Sequence, residues 1–328
     1  MFLQLSFYLA SNIDAKPLDI LINPFQHYSI PLDNWISALV EVLVDNYRPF
    51  FQVVRTPIQW LLGQTQLLLL NMPPLLIIFL CVMVAWQIAD RRVAAFTLTI
   101  LLLIGFVQAW EPAMVSLTLV LTSVIFCVIL GIPLGIICAC SNRVECISRP
   151  FLDTMQTLPT FVYLVPVVMF LGIGDVSGVV ATIVFAAPPL IRLTNLGIRE
   201  VPPELVEAGL SLGLSERDVL WKIQFPIAKP TIMVGVNQTV LFSLSMSVVT
   251  SMIGVAGLGQ LVLEGISRLD IGKAAVGGLS IAFLAMVLDR ITQAASKTRN
   301  DAPWYRREPL GWLLMVSKSA LHNVNVKL

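Results

Sequence analysis

Seven stretches of this chain carry no charged side chain, and they decide what it can fold into. Two of them, Arg55 to Asp90 and Lys229 to Glu264, each enclose 34 uncharged residues. Glu111 to Arg143 encloses 31, Asp153 to Asp175 21, Arg92 to Glu111 18, Asp175 to Arg192 16 and Lys273 to Asp289 15. A helix needs about 20 mainly apolar residues to cross a bilayer, and a charge inside the hydrocarbon is costly. The gaps predict seven spans, at about 74–90, 93–110, 113–139, 154–173, 176–195, 231–253 and 272–292. Only 12% of the residues are charged and mean hydropathy is +0.84. That excludes an ordinary soluble domain and a disordered chain. A net charge of +1 gives no sign of a nucleic-acid partner. The runs are continuous instead of alternating, so the fold class is all-α, a polytopic membrane protein, and not a barrel.

The segment 58–70 is apolar but short, between Pro57 and Pro73, and reads as an interfacial helix, with an eighth span as the weaker alternative. Residues 34–47 place acids opposite an apolar face, with Asn34 as N-cap, and read as a second surface-lying helix. Residues 1–33 read as an irregular tail. The start, Met1-Phe2-Leu3-Gln4, has no basic region before its apolar run, so no cleaved signal peptide is expected. Lys and Arg gather on the cytoplasmic side of a membrane. With the 140–153 loop inside, only Lys16, Arg48, Arg55, Arg268 and Lys273 of the 21 Lys and Arg fall outside. The expected topology has the N-terminus outside and the C-terminus in the cytoplasm. Cys81 and Cys127 fall in spans, and Cys138, Cys140 and Cys146 lie near the reducing side. Their spacing suits small apolar filler, not zinc.

The longest inside loop, about 196–230, carries the most information. Proline and acids at Pro202-Pro203-Glu204 favour a helix from about 203. Gly213 is a natural stop for it. Ser215 can cap a second helix from Glu216, with Asp218 at the capping-box position. Two short helices meeting at a glycine make a compact knob.

The spacing of Glu207, Ala208, Gly209, Gly213, Ile223, Phe225 and Pro226 resembles the signature loop of bacterial ABC importer permeases. The chain departs from that pattern at Gly209, where the family has Ala, and at Phe225, where it has Leu. In the family this loop docks on a cytoplasmic ATPase subunit. Asp153-Thr154-Met155-Gln156-Thr157-Leu158-Pro159, Ala186-Ala187-Pro188-Pro189, Gly235-Val236-Asn237-Gln238-Thr239, Gly257-Leu258-Gly259-Gln260 and Leu288-Asp289-Arg290 resemble the glycine betaine/proline betaine branch. The resemblance covers about 34–296. It implies an ABC type I importer core at 111–296 with coupling loop 199–230. Interfacial helices would lie within 1–73, two accessory spans at 74–110 and a cytoplasmic tail at 297–328. It further implies a homodimer in a bacterial inner membrane, an ABC ATPase that holds ATP and Mg, and an external substrate-binding protein. No cofactor is expected in this chain. The cargo would be a quaternary-amine osmolyte: glycine betaine, proline betaine, choline, carnitine or trimethylamine N-oxide.

Polar residues within a span face a partner or a cavity. Asn237, Gln238, Thr239 and Ser243, with Phe161 and Tyr163 as aromatic faces for a quaternary ammonium, are candidates for the translocation path. For any single one of them packing against a neighbouring helix is the stronger reading, and the path reading belongs to the group. Gly257 and Gly259, with Glu264, Arg268 and Asp270, are candidates for an outer gate or a binding-protein contact. Gly131 and Gly135 have helix-contact spacing, but Pro133 between them suggests a kink as readily. Pro159 and Pro166 should kink the 154–173 span, and Pro188-Pro189 should break the 176–195 span. Gly272-Lys273-Ala274 lacks the Ser/Thr of a phosphate loop. The only histidines, His27 and His322, lie in the tails, so no catalytic set forms in the spans. An ion-coupled secondary transporter of small organic solutes is the rival reading. It is disfavoured because no repeat and no mid-membrane carboxylate is seen.

Overall fold

A computed structural model describes residues 31–296. The expectations for both tails and for the two histidines fall outside those residues. The first helix, α1, runs from Leu32 to Asn71 as one element of 40 residues. Its first half belongs to one compact unit, Met1–Pro49, and its second to another, Phe50–Leu328. In the first unit the apolar residues Trp35, Ile36, Leu39 and Val42 are all exposed. The two separate interfacial helices expected from sequence are one helix, already formed at Leu32, so Asn34 does not cap it. Pro57 removes one backbone donor without ending it. In the second unit Ile58 and Leu62 are buried against Leu119, Val179 and Val255. This half of α1 therefore packs on the helical core.

The remaining helices are α2 (Pro74–Ile88), α3 (Arg91–Phe106), α4 (Trp110–Cys140), α5 (Asn142–Thr157), α6 (Thr160–Leu171) and α7 (Asp175–Arg199). After them come α8 (Pro203–Ser211), α9 (Glu216–Val219), a π-helical turn at Leu220–Gln224, α10 (Phe225–Ser251), α11 (Leu258–Ser267) and α12 (Ile271–Ser296). Among the described residues four helices are long and apolar enough to cross a membrane: 110–140, 175–199, 216–251 and 271–296. The count rises to six if two bent pairs each form one span. Sequence predicts seven, and the differences have physical causes. At 16 residues α3 is about 24 Å long, short of a 30 Å core. The 154–173 stretch is bent by 99° where Leu158-Pro159 separates α5 from α6. Pro159 thus does more than kink this span, whereas Pro166 stays inside α6. Pro188 and Pro189, expected to break α7, lie buried within a continuous helix.

Helix α7 is the axis of the bundle and packs along both α4 and α10. Glycines permit those contacts. A Cβ on Gly135 would come within 2.5 Å of Thr194 Cβ and 2.9 Å of the Ile191 carbonyl. One on Gly131 would meet Leu190 at 3.2 Å. Gly131 and Gly135 therefore serve helix contact, with Pro133 accommodated inside α4. On the other side of α7, a Cβ on Gly235 would lie 3.1 Å from Leu190 Cα. Small residues at both seams let the backbones approach, which is how helices associate where apolar burial gives little.

Candidate coupling, path and outer sites

The knob forms as its residues dictate. Helix α8 ends in a Schellman motif: Gly213 N–H donates to the Leu210 carbonyl at 2.9 Å and Leu214 N–H to that of Gly209 at 3.1 Å. Gly213 sits at φ +83° with open space around it. Ser215 Oγ accepts from Asp218 N–H at 3.2 Å and donates to Asp218 Oδ2 at 2.7 Å. Lys222 pairs with Asp218 at 2.6 Å. Gly209 is buried where α8 crosses the π turn, and a Cβ there would lie 2.6 Å from Ile223 Cδ1. The glycine that replaces the family's alanine thus matches a close crossing. Glu207 and Ala208 are exposed, as are Leu205, Leu210, Leu212 and Trp221. The Phe225 ring lies 5.3 Å from that of Trp221, tilted by 47°, and the exposed Pro226 sits in the first turn of α10. The seven residues are brought together on one protrusion with an apolar outer surface.

The path candidates divide. Asn237 donates to Asp289 Oδ1 at 2.9 Å and accepts from Thr292, so it ties α10 to α12. Thr239 donates to Ala186 O at 3.1 Å, tying α10 to α7. Ser243 donates to Thr239 O at 2.8 Å within its own helix. Gln238 and Phe161 are exposed. Tyr163 packs against Leu164, Ala181 and Met246, and its buried hydroxyl has no hydrogen-bond partner among the described residues.

The outer candidates gather where α11 and α12 form a hairpin. Gly257, at φ +120°, starts α11, and Leu258 N–H donates to Ser116 Oγ at 2.8 Å. A Cβ on Gly259 would lie 2.0 Å from the Ser247 carbonyl oxygen. Both glycines are thus at close backbone approaches. Glu264 pairs with Lys273, whose hydrogen bond and charge hold the carboxyl below the usual glutamate range. Asp270 Oδ1 accepts from Lys273 N–H at 3.0 Å and starts α12, while Arg268 is exposed. Sequence reasoning missed a charged cluster at the opposite end: Glu145, Arg149 and Asp153 on α5 face Arg192, Asn195 and Arg199 on α7. The signal was present, since each set recurs at three- or four-residue steps along one helical face.

Residues 131–299 match the family described as binding-protein-dependent transport system inner membrane component. The chain is 51% identical to the glycine betaine/proline betaine transport system permease protein ProW of Escherichia coli, over 89% of this chain and 84% of that one. It is 45% identical to the glycine betaine/carnitine transport permease protein GbuB of Listeria monocytogenes, over 82% of this chain and 96% of that one. An inward-facing structure of the MetNI methionine ABC transporter superposes with a TM-score of 0.50 at 21% identity. It covers 57% of this chain and 92% of that one, and the likeness is one of fold. The chain belongs to the family of binding-protein-dependent transport system inner membrane components, the permeases of ABC importers.

Proposed function

We propose that this permease carries a quaternary-amine osmolyte of the glycine betaine or proline betaine kind into the cell, as one of two copies that enclose the path. The observation that carries the cargo class is the 51% identity to ProW along 89% of the chain. ATP hydrolysis belongs to a separate ATPase subunit, and a binding protein works with the permease in the inner membrane. The knob, with Glu207, Ala208, Gly209, Gly213, Ile223, Phe225 and Pro226, docks on that ATPase. Its exposed Leu205, Leu210 and Leu212 supply apolar contact of the kind a partner groove covers. Residues 111–296 act as the permease core, with 74–110 accessory to it. The N-terminus lies outside and the C-terminus in the cytoplasm, as the bias of Lys and Arg favours, which with four straight spans requires that one of the two bent pairs also crosses.

Gln238 and Phe161, the exposed members of the path set, face the cargo, and Tyr163 stands behind them. Asn237, Thr239 and Ser243 hold α10 in place for that purpose. Outside, the hairpin tip with Arg268 receives the binding protein, and Gly257, Gly259, Glu264 and Asp270 hold the tip in shape. Movement of the knobs switches the two copies between inward-open and outward-open arrangements. Proteoliposomes holding this chain alone should take up no glycine betaine. Addition of the ATPase, the binding protein and ATP should start uptake. Uptake without an ATPase overturns the reading. Glu207→Ala and Gly213→Ala should each weaken ATPase copurification while membrane insertion persists, and retention of the ATPase by both overturns the docking role.

A further inference from the structure

The cytoplasmic ends of α4, α5 and α7 meet around a cavity of about 360 Å³ lined by charged groups. Glu145 on α5 is its hub. Its carboxylate accepts from Arg149 at 2.9 Å and from the Asn195 amide at 3.3 Å, and pairs with Arg199 at 3.1 Å. Arg199 reaches further: it donates to the Cys138 carbonyl in the last turn of α4 at 2.8 Å and to Asn195 Oδ1 at 2.8 Å. Farther along both helices Arg192 pairs with Asp153 at 2.6 Å. Cys138 Sγ also lies 3.1 Å from Ser148 Oγ on α5. Three helices are thus tied together at the last two turns of α7.

Arg199 is the final residue of α7, and α8 starts at Pro203. Three residues link them. Val201 among them is buried, and Pro202-Pro203 restricts the backbone. Displacement of α8 therefore reaches the end of α7 with little slack. A guanidinium holds fixed directions toward several acceptors at once, which suits it to passing a displacement on to α4 and α5. The pair is partly shielded, with side-chain exposures of 33% for Arg199 and 21% for Glu145. We infer that Arg199 and Glu145 are positioning residues that make α4, α5 and α7 move as one body when the coupling loop is displaced. This rests on the docking role proposed for α8.

The test uses the whole transporter, with its ATPase and binding protein, in proteoliposomes supplied with glycine betaine. In Glu145→Gln and Arg199→Gln the amount of cargo moved per ATP hydrolysed should fall about fivefold or more, the low end of usual site-to-site coupling. ATPase copurification and the melting midpoint should be retained. Arg192→Asp should lower the same ratio, and Asp153→Arg added to it should restore much of the loss. A ratio unchanged in Glu145→Gln overturns the inference. So does a parallel loss of hydrolysis and copurified ATPase, which would mark a docking or folding defect. If the ATPase stays bound when Glu207 and Gly213 are replaced, the docking role fails by itself. An unchanged ratio with docking intact sinks only the tie between the helices.

Discussion

Two helix ends on opposite sides of the molecule use the same hydrogen-bond motif with different residues. At the end of α8, Gly213 occupies the left-handed position at φ +83°. At the end of α11, Leu269 occupies it at φ +56°, with Leu269 N–H donating to Ile266 O at 3.2 Å and Asp270 N–H to Gly265 O at 2.8 Å. A non-glycine residue there costs about 1–2 kcal/mol. The knob avoids that cost because few tertiary contacts hold it: among the described residues α8 packs mainly on α9 and the π turn. The outer hairpin tolerates it because packing fixes the turn from both sides. A Cβ on Gly265 would lie 2.4 Å from Ala274 N, and one on Gly277 3.0 Å from Val262 N. Local chemistry shapes the knob, whereas tertiary contact shapes the hairpin. Leu269 is also 88% exposed, between exposed Ile266 and Ile271. An exposed apolar side chain at a strained position is the feature on which the proposed binding-protein contact rests.

The sharpest break of this contrast is Gly259→Ala. Its new Cβ would fall 2.0 Å from one backbone oxygen and 3.0 Å from Val248 Cα, and backbone cannot step aside as a side-chain tip can. The expected cost is about 3 kcal/mol or more, seen as a lower melting midpoint or lost expression. Gly213→Ala has open space around its Cβ and suffers only the left-handed backbone, about 1 kcal/mol. Its effect should be local: faster amide exchange in 203–215 with the midpoint of the bundle nearly unchanged. An equal shift in both variants would erase the distinction between locally and globally held ends. Leu269→Gly should act with opposite sign, stabilising the hairpin by up to about 1 kcal/mol. It should also weaken capture of the liganded binding protein. Tighter capture together with higher stability would mean that the strain serves no contact.

The same contrast explains what could be read from sequence. The knob was legible down to its stop and cap, because Gly213, Ser215 and Asp218 act within a few residues of themselves. Four long helices were legible from missing charge. The hairpin glycines read as an outer gate, a contact surface or a plain tight loop, since no local signal says that Ser247 O lies against Gly259. The Pro188-Pro189 pair read as a break because sequence does not show that α4 and α10 enclose α7 at that level. The 32–71 helix was hidden by Pro57, which marks a boundary by propensity but loses to the packing of Ile58 and Leu62. The hub around Glu145 was missed for another reason. Its residues recur along one face of each helix, but they become a site only where α5 meets α7, which no spacing within one helix shows.

The smallest effect lies at the hairpin and follows from the Glu264–Lys273 pair. Lys273 donates to the Glu264 carboxylate and adds its charge, so the folded carboxyl titrates below its ordinary value. A carboxyl so depressed contributes stability above its unfolded pKa of about 4.3, and that contribution disappears as pH falls through the folded value. Amide protection of 258–274 should therefore weaken between about pH 4.5 and the lower folded value. In Glu264→Gln that pH dependence should be absent, and protection should start from a slightly lower level at neutral pH. Because the pair is open to solvent the change should be modest and should shrink further in salt. The knob offers the control, since exchange in 203–215 should respond to this substitution not at all. If wild type and Glu264→Gln lose hairpin protection along the same pH curve, the ion pair holds nothing. The close approaches at Gly259, Gly265 and Gly277 would then account for the hairpin unaided, and the difference between the two ends would be steric alone.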